Sequence, residues 1–168
     1  AGLGHRVGCE VLDLTVPAAA AGSVLGGRCT ELALAAAVQA VAGAGLSALP
    51  GDGRDAAIVV ATTAGDATGF EQARATHPER DLDERDLAIL ADRPLDVMAR
   101  SLASLYGVTG PVITTCAGGA TAIGIAASLV ERGRARVALA VGCDAFSRLV
   151  FIGFSRMHVL SPDLCRPF

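Results

Sequence analysis

One cysteine lies at the junction of two segments with very different residue patterns. Residues 111–115 form an apolar, β-branched run, and residues 117–130 form a long stretch of small and apolar residues without a charge. The first pattern favours a strand, and the second favours a helix that packs closely against its neighbours. The sequence therefore predicts a strand, a sharp turn and a helix, with Cys116 in the turn.

The predicted position of Cys116 makes its thiol a candidate nucleophile. The first N–H groups of a helix have no partner inside the helix and carry a positive partial charge, so they stabilise a thiolate. The alternative is a buried structural cysteine, because a free cysteine packs like a small hydrophobic residue. The position alone does not distinguish these two roles.

Further strands are predicted from apolar runs on either side of the junction. The run at 56–61 predicts a buried strand, the run at 135–141 predicts a strand that follows the helix, and residues 4–12 predict a short edge strand. Two parallel strands joined by a helix make a βαβ unit, so the predicted fold class is α/β.

Two helices are predicted ahead of the junction. Residues 30–46 are apolar almost all round, with Thr30 as the expected N-cap, and a flexible connection rich in alanine and glycine is expected before them at 16–27. Residues 92–106 are amphipathic, with Gly107 as the expected C-terminal stop.

The composition restricts the partners of the chain. The 52% content of hydrophobic residues, with only 18% charged, predicts that much of the surface is covered by an oligomer partner or by another part of the same fold. A net charge of −3 without a basic stripe argues against nucleic acid. The uncharged segment 101–130 is long enough for a membrane span, but glycine and proline interrupt it, so no membrane span is expected.

The cysteine pattern points to reduced thiols in a cytoplasmic protein. The chain has five cysteines, an odd number, without a C-x-x-C pair or a nearby histidine at metal-ligand spacing. No export signal, metal site, or flavin or nucleotide motif is evident, so no bound cofactor is expected.

Several motifs together resemble the N-terminal half of a β-ketoacyl synthase, from the elongating branch of the thiolase-fold superfamily. The resemblance runs from about residue 28 to residue 168. Its motifs are Leu-Tyr-Gly-Val-Thr-Gly-Pro at 105–111, Thr-Thr-Cys-Ala-Gly-Gly at 114–119, Val-Gly-Cys-Asp at 141–144, Phe-Ser-Arg at 154–156 and the terminal segment 160–168.

The resemblance implies an architecture. It implies a thiolase-like α/β fold, of which this chain is one half, with a central mixed sheet and a buried helix after the nucleophile. Residues 1–168 would form the N-terminal half of a ketosynthase-like domain, with the C-terminal half absent from the chain. The intact domain would have two similar halves and form a homodimer or heterodimer.

The resemblance also implies an activity. Cys116 would accept an acyl group as a thioester from an acyl carrier protein, whose phosphopantetheine carries the substrates. Decarboxylative condensation with a malonyl thioester would then extend the chain, in fatty acid or polyketide biosynthesis. The implied partners are the acyl carrier protein and the C-terminal half of the synthase or a partner ketosynthase subunit.

The resemblance suggests further site residues. Those expected to line the acyl pocket or its entrance are Thr63, Ala64, Thr115, Phe151 and Phe154. Ordinary loop and core packing is the competing interpretation for them.

The chain departs from the family because the catalytic histidines and the structural lysine belong to the second half. The three histidines present, His5, His77 and His158, match no catalytic motif and are predicted at exposed or edge positions. The leading interpretation is that this chain is one piece of a longer or split synthase. The alternatives are a non-catalytic partner resembling a chain-length factor, an α/β domain in which Cys116 merely packs, and a relative that uses the cysteine for simple acyl transfer or thiolysis.

Overall fold

Three parallel strands form the sheet of the computed structural model, which describes residues 10–23, 27–65, 67, 68, 71, 75, 84, 96–109, 112–114 and 118–163. Strand β1 (Ala56–Ala61) lies between β2 (Val112–Thr114) and β3 (Val137–Gly142). Ala61 pairs with both Thr114 and Gly142, so the three strands end together. We call this end of the sheet the carboxyl edge.

Within the described ranges, bounds can be given for four α-helices and two short 3-10 helices. The 3-10 helices span Ala18–Ser23 and Pro50–Gly53. The α-helices are α1 (Arg28–Gly43), α2 (Val97–Tyr106), α3 (Gly118–Glu131) and α4 (Arg148–Arg156). None of the described helices is long and apolar enough to cross a bilayer.

One face of β1 packs against α1 and α2. The side chains of Ile58 and Val60 are fully buried in a cluster with Leu34 of α1 and Leu102 of α2, which are also fully buried. Alternate residues of a strand point to opposite faces, so Ile58 and Val60 share this side. This cluster is the larger of the two hydrophobic cores in the described part of the chain.

The opposite face of β1 packs against α3. Val59 and Ala61 contact Ala122 and Ala126, which are buried on the inner side of that helix. Among the described residues, none covers the outer side of α3, where Ile123 is 65% exposed. The expected buried helix is therefore buried along one side only, because the sheet covers just that side.

The structure confirms the elements predicted around the junction. Strand β1 has the predicted bounds, β2 and β3 lie within two residues of theirs, and α3 follows β2 directly. Gly107 ends α2 in the left-handed conformation, with φ +67°. All three described strands are parallel, so an antiparallel member of the expected mixed sheet is not among them.

Some local predictions were wrong. Thr30 does not cap α1, which begins two residues earlier with Gly27 at the N-cap position; Thr30 lies in the first turn and is fully buried. The expected flexible connection contains a 3-10 helix over Ala18–Ser23, whose Ala20 is fully buried in the core. Of the expected edge strand, residues 10–12 are irregular, and residues 4–9 lie outside the described residues.

Gly53 allows the chain that enters β1 to pass close to the end of α2. Its φ is +84°, and a Cβ atom at this position would lie 2.4 Å from the carbonyl oxygen of Tyr106 and 2.6 Å from the carbonyl carbon of Gly107. Both neighbours are backbone atoms, so a side chain would have to displace α2. Gly45 has a similar φ of +70°, but a Cβ there would meet nothing within 4 Å.

We predict that Gly53→Ala lowers the free energy of unfolding by about 3 kcal/mol, since it adds a backbone clash to the strain of a positive φ. Gly45→Ala is the matched control and should cost about 1 kcal/mol, because only the strain applies. Urea unfolding followed by circular dichroism measures both values. Equal losses in the two variants would contradict the close approach at Gly53.

Candidate active site

The described residues on either side of Cys116 meet at the carboxyl edge. Thr114 ends β2 beside Ala61, and the buried Gly118 begins α3. A Cβ atom on Gly142 would lie 3.4 Å from the Cα atom of Gly119, so the first turn of α3 lies against the end of β3. The predicted strand and helix around the cysteine are thus present, while Cys116 and Thr115 lie outside the described residues.

The loop that follows β1 is held by one carboxylate. Asp144, just after β3, accepts hydrogen bonds at its Oδ1 atom from the Thr62 hydroxyl at 2.8 Å, the Thr63 N–H at 2.7 Å and the Ala64 N–H at 3.2 Å. The Thr62 hydroxyl oxygen accepts a further bond from the N–H of Gly65 at 2.8 Å. Thr63 and Ala64, both predicted in the acyl pocket, therefore lie at the carboxyl edge in a fixed loop.

Two cysteines lie beneath this loop. The Cys29 thiol, fully buried in α1, donates to the carbonyl oxygen of Cys143 at 3.3 Å and lies 3.9 Å from the Thr62 hydroxyl. The Cys143 thiol donates in return to the carbonyl oxygen of Cys29 at 3.4 Å. These contacts join the start of α1 to the end of β3. They give both sulfurs a packing role.

The two predicted entrance aromatics lie on α4, a helix that the sequence analysis did not predict. Phe151 and Phe154 are both half-buried. The ring of Phe151 contacts that of Phe146, with centroids 5.7 Å apart and a tilt of 43°. A contribution of these rings to an acyl pocket stays a prediction.

Ser147 and Glu71 together satisfy the first turn of α4. The buried Ser147 is the N-cap, and its hydroxyl oxygen accepts a hydrogen bond from the N–H of Val150 at 3.2 Å. Glu71 accepts at its Oε1 atom from the Ser147 hydroxyl at 2.6 Å and from the N–H of Leu149 at 2.7 Å. A carboxylate at a helix N-terminus is favourable because it meets free N–H groups and the positive end of the helix dipole.

These bonds change the acidity of Glu71. Partial burial raises the pKa of its carboxyl, but the hydrogen bonds from Leu149, Ser147 and Arg148, with the charge of Arg148, outweigh it. The pKa therefore lies below the ordinary value for glutamate. Since the depressed pKa reflects bonds present only in the folded chain, ionised Glu71 stabilises the fold.

The described histidine, His158, lies just beyond the end of α4. His158 is exposed, as predicted, whereas His5 and His77 lie outside the described residues. Within the described part of the chain, no group of three or more histidine, cysteine, aspartate or glutamate side chains is placed to hold a metal ion.

One described cavity lies elsewhere, between the end of α1 and the end of α2. It has a volume of about 670 Å³ and is lined mainly by apolar side chains, among them Val41, Leu46, Leu49 and Tyr106. Burial raises the pKa of the Tyr106 hydroxyl. Gly107, which also lines the cavity, approaches Gly53 near the start of β1, so the cavity is remote from the carboxyl edge.

Sequence reasoning missed Asp144 and Glu71 as organising residues. Asp144 had a local signal, because it lies three residues after the predicted strand 135–141, whose end lies at the carboxyl edge. Ser147 had the residue type of an N-cap. Glu71 had no local signal, since its partner Ser147 lies 76 positions further along the chain.

Comparison with solved structures defines the class of the fold. The chain resembles a β-ketoacyl synthase from Burkholderia phymatum STM815 with a TM-score of 0.75 and 18% sequence identity, over 96% of this chain and 41% of that one. It resembles the ishigamide ketosynthase/chain length factor with a TM-score of 0.70 and 30% identity, over 99% of this chain and 43% of that one. The fold is therefore an α/β half of the thiolase-fold ketosynthase class.

Sequence comparison establishes the family. Residues 27–168 match the model of the β-ketoacyl synthase N-terminal domain, and the chain belongs to that family. It is also 34% identical over 148 residues to nodulation protein E of Rhizobium sp. (strain N33), an alignment that covers 84% of this chain and 36% of that protein. The chain thus spans less than half the length of these relatives.

We predict that Glu71→Gln lowers the free energy of unfolding at pH 7 by less than about 1 kcal/mol, because solvent screens the lost charge. The stabilisation by Glu71 is fully present above the ordinary glutamate pKa of about 4.3 and is lost as the pH falls through the lower folded value. The difference between wild type and variant should therefore shrink towards pH 3.

Urea unfolding at several pH values measures this difference. Glu84→Gln is the matched control for the loss of one glutamate charge, since Glu84 is exposed. A difference between wild type and Glu71→Gln that is constant from pH 7 to pH 3 would contradict the role of the ionised carboxylate.

Proposed function

We propose that this chain carries the nucleophile of a condensing acyltransferase, a β-ketoacyl synthase that uses Cys116. The observation that supports the proposal is the family match over residues 27–168, which contains the Thr-Thr-Cys-Ala-Gly-Gly motif between strand β2 and helix α3. The free N–H groups and the dipole at a helix N-terminus favour the thiolate form of a nearby cysteine, and Cys116 precedes α3 by two residues in the sequence.

The first half of the proposed reaction is acyl transfer. The Cys116 thiolate attacks the carbonyl carbon of an acyl thioester on an acyl carrier protein, a new sulfur–carbon bond forms, and the carrier thiolate leaves. The N–H group of Cys116 helps to hold the negative charge on the carbonyl oxygen during the attack.

The second half is condensation. A malonyl thioester loses carbon dioxide, and the resulting carbanion attacks the acyl carbonyl on Cys116. A carbon–carbon bond forms, and the cysteine leaves as a thiolate ready for another acyl group. In this proposal the histidines that stabilise the carbanion come from the second half of the synthase or from a partner subunit.

The proposal predicts acylation of Cys116 in the complete natural protein. Incubation with an acyl thioester, followed by peptide mapping, should place the acyl mass on Cys116, and Cys116→Ala should abolish it. Cys9→Ala is the control, because residue 9 precedes the family match and its loss should leave acylation unchanged.

A non-catalytic partner subunit gives the opposite result in the same sample. Cys116 would stay unmodified, while a native mass spectrum would show a heavier complex with a second polypeptide. The ishigamide neighbour, a ketosynthase/chain length factor, makes this the second candidate. An unmodified Cys116 in the intact complex would overturn the catalytic proposal.

The proposed acyl pocket predicts an effect of bulk at Ala64. Ala64 is half-buried in the loop after β1, and its small side chain would leave room for a long acyl group. Ala64→Phe should therefore lower the ratio of the acylation rate with a dodecanoyl thioester to that with a butanoyl thioester about tenfold. A tenfold change corresponds to about 1.4 kcal/mol.

The control for bulk alone is Ala40→Phe, since Ala40 is exposed on α1. The ratio of the two acylation rates should be unchanged in that variant. An unaltered ratio in Ala64→Phe would show that Ala64 does not line the pocket.

A further inference from the structure

We propose that Asp144 is a positioning residue that sets the acyl-chain selectivity of the site by fixing the backbone of the loop over residues 62–65. The proposal rests on the proposed function, because it assigns the acyl pocket to that loop. It adds a residue that would not touch the acyl group itself. Asp144 would act through the loop that it binds.

The contacts of Asp144 converge on a single oxygen atom. Its Oδ1 atom accepts from the Thr62 hydroxyl and from the consecutive N–H groups of Thr63 and Ala64, at distances of 2.7–3.2 Å. Consecutive N–H groups that point to one side of a turn form a concavity that binds anions. Here the carboxylate of the chain itself occupies that concavity.

The Thr62 hydroxyl connects Asp144 to Gly65, the last residue of the loop. It donates to Asp144 and accepts from the N–H of Gly65, whose φ is +56°. Thr62 is only 3% exposed, so water cannot readily replace Asp144 as the acceptor of its hydroxyl proton. Removal of the carboxylate therefore frees the loop at Thr62, Thr63 and Ala64 together.

The placement of Asp144 explains why the effect should reach the acyl pocket. Asp144 lies two residues after the end of β3, and the loop directly follows β1, whose Ala61 pairs with Thr114 at the end of β2. The carboxylate thus links the loop to the framework that also carries the segment around Cys116. Asp144 itself is exposed, but its bonds to three consecutive residues tie the loop to the end of β3, because hydrogen bonds to a charged acceptor are stronger than neutral ones.

A stiff loop discriminates between acyl chains better than a loose one. If Thr63 and Ala64 line the pocket, their backbone positions set its width and depth. With the carboxylate removed, the loop would adapt to chains that wild type rejects. The expected signature is a change in the ratio of rates for different chains, and loss of stability alone does not alter that ratio.

The experiment compares Asp144→Ala with wild type in the complete natural protein. Acylation of Cys116 is timed by mass spectrometry with butanoyl and dodecanoyl thioesters of N-acetylcysteamine. We expect the ratio between the preferred and the disfavoured chain to fall about tenfold in Asp144→Ala. Alkylation of Cys116 by iodoacetamide, a small reagent, should stay within about twofold of wild type.

Two further variants separate positioning from folding. Asp144→Asn keeps an oxygen that can accept from the same donors and should retain most of the selectivity. Asp55→Asn is the matched control at the opposite end of β1, where Asp55 makes an exposed ion pair with Arg136 at 3.8 Å, and it should leave the ratio unchanged. If Asp144→Ala does not fold, the other two variants decide. The proposal is supported if Asp144→Asn has the selectivity of wild type and Thr62→Val has a reduced selectivity.

The outcomes distinguish the two proposals. Failure of wild type to become acylated at Cys116 overturns the proposed function. If wild type is acylated and Asp144→Ala shows the same ratio of rates as wild type, the role of Asp144 is overturned and the proposed function stands. If Asp144→Ala does not fold, the same ratio in Thr62→Val has this meaning. A variant of Asp144 that is less stable than wild type but has an unchanged ratio of acylation rates also overturns the role in selectivity, since it assigns Asp144 a structural role only.

Discussion

Burial of β1 on both faces is the constraint on which the rest of the structure depends. Ile58 and Val60 require the cover of α1 and α2, while Val59 and Ala61 require the cover of α3. A strand with two apolar faces is stable only in the middle of a sheet with helices on both sides. Strands β2 and β3 must therefore flank it, and their common register brings three chain segments to one edge.

Two carboxylates organise the segments that leave this framework. Asp144 holds the loop after β1, and Glu71 holds the first turn of α4. In each case one carboxylate oxygen accepts hydrogen bonds from a hydroxyl group and from backbone N–H groups. A single side chain thus satisfies donors that have no partner within the secondary structure. The chain has few charged residues, and these two serve to fix backbone geometry near the carboxyl edge.

The sequence predicted features that depend on neighbouring residues and missed those that depend on distant ones. Strand β1 and the stop at Gly107 follow from local patterns, an apolar run and a glycine that tolerates a positive φ. The bond between Asp144 and Thr62 spans 82 positions, so no local pattern identifies Thr62 as the partner of Asp144. Thr30 had the residue type of a cap, but burial against the core placed it inside α1, where tertiary packing outweighs local preference.

The alignment of the three strands also determines where the chain can tolerate a change in length. The turn between α3 and β3, at 132–134, is exposed and contains Gly133 with φ +64°, so extra residues there would leave the register of β3 intact. One residue inserted within β3 would instead move every following side chain to the opposite face of the sheet. Asp144 would then point away from its donors. An insertion, whether natural or engineered, is thus tolerated in the turn before β3 and disrupts the structure when it falls within β3.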